Sequence, residues 1–125
     1  MNALNQIVRT PLVSEQSVHN KAIVGGGATT TVLSTVASIN AVYIDVFVQP
    51  TVDLKHVYLI LYAANGKIAW SQQIHGAVTA NTQAGARWGG SLGTGMAIGQ
   101  YYDVTVTTAN AALNGTIEAW TAARS

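Results

Sequence analysis

The side chains able to do chemistry are few: three histidines, five carboxylates, some serines and no cysteine. His19, His56 and His75 form no HxH or HxxxH pair, the spacings that bring two imidazoles onto one face of a strand or helix. Each lies on or beside a segment with strand patterning. They read as polar-face histidines at strand ends, and no metal is expected. Asp45 and Asp103 fall in the middle of two other such segments. Two carboxylates divide acid and base roles only when they face each other across a cleft. Single mid-strand carboxylates belong instead to a solvated face or a subunit contact. The serines read as lying in plain loops, with no nucleophile elbow and no Ser/His/Asp order to serve one. The expectation is a protein that is not an enzyme and takes no cofactor.

Gly25-Gly26-Gly27, followed by Ala28 and three threonines, has the glycine content of a phosphate-cradling loop. It lacks the Gly-Lys-Ser/Thr ending and a helix to follow, so it reads as a turn or flexible loop. Trp70, Trp88 and Trp120, with Tyr43, Tyr58, Tyr62, Tyr101 and Tyr102, are the other candidates, as a stacking surface for sugars or bases. Trp70 and Trp120 lie in strand patterns and are expected to pack in the core. Trp88, within the glycine-rich Ala86-Arg87-Trp88-Gly89-Gly90, is the one expected to be exposed, and Arg87 and Trp88 are candidate contacts with a partner. Six scattered Lys and Arg residues make no basic stripe to neutralise phosphates, so no nucleic acid is expected.

Strands must position these residues. In the stretch from Ala41 to Ile74, Val42, Ile44, Val46 and Val48 oppose Tyr43, Asp45 and Phe47. Val57, Leu59 and Leu61 oppose Tyr58, Ile60 and Tyr62, and a third run follows Asn65-Gly66, a pair suited to a tight hairpin turn. Period-two alternation of β-branched and aromatic residues predicts three sequential antiparallel strands here. Val18–Val24 and Thr29–Ile39 predict two earlier strands. Residues 76–100 hold seven of the twelve glycines and read as long loops, with short β segments at Ala77-Val78 and Arg87-Trp88. Tyr101–Thr108 and Gly115–Thr121 predict a closing pair with Asn114-Gly115 as its turn. Seven or eight strands and no helix call for an all-β domain of two packed antiparallel sheets. A jelly roll or related Greek key is the first choice and a partly open barrel the second.

Only 9% of the residues are charged, against roughly 25% in an average soluble domain. The surface must be covered by uncharged polar residues, or part of it by other subunits. Residues 1–17 read as an extended arm ahead of a sandwich domain spanning 18–125. Pro11 stops a helix, and the apolar pairs Ile7-Val8 and Leu12-Val13 are candidate contacts with a neighbour. Met1–Pro11 lacks the continuous apolar core of a signal peptide, which leads to an expectation of cytoplasmic synthesis. No apolar run is long enough for a membrane-spanning helix.

The arm Asn2–Ser17, the Thr29-Thr30-Thr31 tract and the closing GQYYDVTVTT…NGTIEAW together resemble the small accessory β-sandwich proteins of tailed-phage virions, the capsid decoration or cement proteins and related head or tail structural proteins. The resemblance covers the whole chain in texture. It implies a virion structural protein, a homotrimer or other symmetric oligomer, seated on a major capsid or other virion protein. A carbohydrate-binding, lectin-like module built on Trp88 and neighbouring tyrosines is the alternative.

Overall fold

A computed structural model describes residues 13–36, 43–62, 65–89 and 101–124, with the backbone alone at 13, 14, 36, 69, 89 and 124. Eight strands form: β1 (Val13–Ile23), β2 (Thr29–Val36), β3 (Tyr43–Pro50), β4 (Leu54–Tyr62), β5 (Ile68–His75), β6 (Ala84–Gly89), β7 (Tyr101–Thr108) and β8 (Gly115–Arg124). They make two four-stranded antiparallel sheets, ordered β1-β8-β3-β6 and β2-β7-β4-β5. This is the strand order of a jelly roll, in which consecutive strands alternate between sheets except at the β4–β5 hairpin. Among the described residues no helix forms.

The core lies where the alternation places it. Ile44, Val46 and Val48 of β3 face Leu59, Leu61, Val104 and Val106 of the other sheet, and all are buried. One polar clasp crosses this interior: the hydroxyls of Tyr102 on β7 and Thr121 on β8 are 2.8 Å apart and both residues are almost fully buried. Burial pushes the Tyr102 phenol above its ordinary value, while the Thr121 hydrogen bond opposes the shift. A raised folded-state value favours the neutral phenol, so its contribution is complete below the unfolded value of about 10 and declines as pH rises through it. Tyr102→Phe is therefore expected to cost about 1 kcal/mol at neutral pH, by orphaning the Thr121 hydroxyl. It is also expected to flatten the loss of stability above about pH 10, and urea titrations at pH 7 and pH 10.5 check both.

Pairing differs from the expectation in two places. β3 does not pair with β4: it lies between β8 and β6 in the opposite sheet. Pro50 ends β3, and the chain crosses the end of the sandwich, where the Thr51 N–H donates to Thr116 O at 2.9 Å. β7 and β8 likewise belong to different sheets rather than forming a closing hairpin. Their connection packs on the triple glycine. Gly26 N–H donates to Ala112 O, Gly27 N–H to Ala109 O, and Gly25 N–H to the Asn114 side chain. A Cβ on Gly25 would lie 2.1 Å from Ala112 O, and Gly26 and Gly27 have φ of 70° and 81°. The glycines serve backbone contact and positive φ, so the turn reading holds.

The β4–β5 hairpin is as expected, although only Gly66 takes a positive φ, of 84°. The Asn65 side chain instead accepts the Lys67 N–H at 3.0 Å. β1 begins at Val13, five residues ahead of the expected Val18, and pairs Val13–Val18 with β8. The arm boundary expected after residue 17 thus falls inside a paired strand. Residues 1–12 lie outside the described residues.

Candidate functional site

The outer face of the β1-β8-β3-β6 sheet carries most of the residues with chemical reach. Register places Ser17, Trp120, Phe47 and Gly85 in one row across it, and Glu15, Ala122, Asp45 and Arg87 in the next. Phe47 and Trp120 stack with ring centroids 5.5 Å apart and planes within 15°. Gly85 leaves space for the Phe47 ring, since a Cβ there would lie 2.8 Å from Cδ1 and Cε1. In the second row Arg87 holds Asp45 in a two-pronged contact, Nε to Oδ1 at 2.6 Å and Nη2 to Oδ2 at 3.1 Å. Its guanidinium also sits 4.9 Å from the Tyr43 ring centroid. The hydrogen bond and charge of Asp45 push the Arg87 value up further, so this cation persists at any accessible pH.

β1 supplies a polar relay beside the aromatic pair. Ser17 Oγ lies 3.1 Å from His19 Nε2, and His19 Nδ1 lies 2.7 Å from Glu118 Oε2. Two residues apart on a strand, Ser17 and His19 share a face, and β8 brings Glu118 up to them. A shift of register between Val18 and Lys21, with Asn20 at φ 56°, bends the strand at this point. The connectivity is that of a nucleophile, base and acid. Its setting differs: the His19 and Glu118 side chains are 64% and 43% exposed, and in high dielectric such contacts stabilise little developing charge. The relay is a rim of donors and acceptors. Next to it Glu15, Gln16, Ser17, Glu118 and Trp120 line an open groove of about 440 Å³.

The opposite outer face, on β2-β7-β4-β5, is rich in hydroxyls and poor in charge. Asp103 accepts from Ser34 Oγ at 2.5 Å and Tyr62 Oη at 3.0 Å, and Tyr62 stacks on Tyr101 at 4.7 Å. Partial burial, then the bond to Asp103, raises the Tyr62 phenol. A smaller hollow of about 230 Å³ is lined by Thr29, His56, Tyr58, Thr105 and Thr107. Asp45 and Asp103 therefore lie on outward faces of different sheets and share no cleft. His19 is on the first sheet, with His56 and His75 on the second.

Several sequence expectations need correction. Trp88, expected to be exposed, is 4% exposed and packs edge-on against Trp70 at 5.8 Å between the sheets. Arg87 opposes Asp45 on the outer face, so its neighbour in the strand must point inward. Arg87 itself is exposed. Trp70 packs against the core, but Trp120 sits on the outer face, in phase with Thr116 and Glu118. Ser17 lies in a strand rather than a loop. Ile7, Val8 and Leu12 lie outside the described residues, and Val13 is the first residue of β1, paired with Arg124. Gly89-Gly90-Ser91-Leu92-Gly93 does match the letters of the G-x-S-x-G elbow. The strand leading into it, β6, is antiparallel, whereas such an elbow tops a strand of an α/β sheet.

No family model matches the chain, and no curated protein matches it in sequence. Solved structures do share its fold. A chain of the T13 infectious bursal disease virus particle aligns with TM-score 0.58 and 10% identity over 91% of this chain and 31% of that one. The VP2 subviral particle of the same virus gives 0.58 and 8% over 90% and 33%. The Gx strain structure gives 0.55 and 11% over 90% and 32%. This chain thus spans about a third of each of those chains, and at these identities the likeness is one of fold.

Proposed function

We propose that this chain is a non-enzymatic structural protein of a virus particle, of the accessory decoration or cement kind found on tailed-phage heads. It acts as a symmetric homo-oligomer, a trimer or similar ring, on a major capsid or other virion protein. The observation that carries this reading is a charge-poor surface with large apolar side chains left exposed. The outer face of the second sheet presents Thr, Ser and Tyr around one engaged carboxylate, and Ile68 at its edge is 60% exposed. At the end of the sandwich Val24 and Leu113, 56% and 79% exposed, flank the Gly25 contact with the β7–β8 connection. Apolar side chains grouped at one end of a charge-poor domain fit burial against further subunits. The shared fold with virus-particle chains supports the same reading by analogy.

Residues 1–12 supply the arm in this reading, with Ile7, Val8 and Leu12 docking on a neighbouring subunit. Size-exclusion chromatography with light scattering on the full chain tests the proposal. The expected result is a closed oligomer that the double substitution Val24→Asp, Leu113→Asp shifts toward monomer. A monomer at every concentration up to about 100 μM, where contacts weaker than about 5–6 kcal/mol would already be largely dissociated, overturns it.

A further inference from the structure

We propose that the groove on the outer face of the β1-β8-β3-β6 sheet binds a neutral oligosaccharide, with one pyranose ring stacked on Trp120 and its hydroxyls held by Glu15, Gln16, Ser17 and Glu118. The site is independent of the oligomeric role proposed above. A pyranose has an apolar face of C–H groups and a rim of hydroxyls, so it needs a flat apolar surface edged by donors and acceptors. Trp120 provides the surface, partly exposed and held in plane by its stack on Phe47. Gly85 leaves room for Phe47 to lie there.

The edge is already arranged. Ser17, His19 and Glu118 hold one another through contacts of 3.1 and 2.7 Å, so little side-chain freedom remains to be lost on binding. Ser17 and Glu118 keep hydrogen-bonding capacity for a ligand, since a hydroxyl oxygen and a carboxylate accept several bonds, while His19, engaged at both ring nitrogens, holds the two in place. Glu15 adds a second carboxylate on the same face, one strand position pair from Ser17. At about 440 Å³ the groove is within the usual range for small-molecule sites.

Charge narrows the ligand. Two carboxylates repel phosphates, sulfates and acidic sugars. A cationic peptide would suit carboxylates and an indole, but Glu118 is already engaged by His19, and the Gln16 amide and Trp120 indole N–H in the groove lining add donors that a cation cannot use. Neutral polyols use donors and acceptors alike.

The test titrates the full ¹⁵N-labelled chain with maltotriose, cellotriose and chitotriose up to about 10 mM, a range that covers weak single-site binding. The indole N–H of Trp120 is expected to shift saturably with at least one of them, while that of buried Trp88 stays in place. By calorimetry, Trp120→Ala is expected to weaken binding at least about tenfold, Trp120→Tyr to retain part of it, and Glu118→Gln to weaken it severalfold. No response to any of the three sugars overturns the proposal. So does binding that survives Trp120→Ala in a folded chain, or a stronger response to trilysine than to the sugars. Should Trp120→Ala not fold, the Tyr and Gln variants decide, since both retain the shape of the face.

Discussion

Leu59→Ala and Ile44→Ala are each expected to lower the unfolding free energy by about 2–5 kcal/mol, the range for truncating a large aliphatic side chain in a packed core. Both residues are wholly buried and each lies in a central strand. Leu59 on β4 sits between Gln72 of β5 and Val104 of β7, while Ile44 on β3 sits between Trp88 of β6 and Ala123 of β8. The two probe the same interior from opposite sheets. In urea the midpoint should fall with little change in the slope, since the surface exposed on unfolding is nearly the same. Ile68→Ala, at a 60% exposed position, is the control and should cost less than about 0.5 kcal/mol. Losses below about 1 kcal/mol for both core variants would mean the inner faces are misassigned.

That assignment was legible because alternation reports a face directly. Ile44, Val46 and Val48, then Val57, Leu59 and Leu61, then Tyr102, Val104 and Val106 all point inward as their phase requires. Alternation does not report a partner. The β3–β4 and β7–β8 connections look like hairpin turns in sequence because Pro50 and Asn114-Gly115 carry turn chemistry. They cross between sheets instead, since β3 and β4, like β7 and β8, belong to opposite sheets and meet across the core rather than side by side. Turn residues give a change of direction, and only packing decides which sheet receives the next strand.

The candidate groove was half legible. Writing Ile117 and Ala119 against Thr116, Glu118 and Trp120 already places Trp120 away from the core, yet its size and strand setting argued for burial. Trp88 was the reverse: surrounding glycines suggested exposure, while its adjacency to Arg87 required one of the two to face inward. Ser17-Val18-His19 carries a period-two signal for two polar side chains on one face. Glu118 joins them only through the β1–β8 register, a contact 99 residues apart in sequence. No local pattern encodes that.

Deleting residues 1–17 is expected to damage the fold, whereas deleting residues 1–12 is expected to leave it intact and weaken assembly. The difference is the segment Val13–Ser17, which pairs with Trp120–Arg124 along the edge of β8. Losing its ladder removes hydrogen bonds worth about 1 kcal/mol each, but frees backbone entropy of similar size per residue. What remains is burial. Thr121, Ala122 and Ala123 are all at most 6% exposed beside this segment. Wetting a strip of roughly 100 Å² at ~25 cal/mol per Å² costs about 2–3 kcal/mol. It also bares a β8 edge open to pairing with other chains. The longer deletion should therefore lower the thermal midpoint and aggregate, while the shorter should keep the midpoint and the β-rich circular dichroism spectrum. In the shorter variant the light-scattering mass should fall, because Ile7, Val8 and Leu12 are each worth about 1.5–3 kcal/mol when buried at a contact. Normal assembly without residues 1–12 would remove the arm from the proposed function. Unfolding of that variant would make residues 1–12 part of the domain itself.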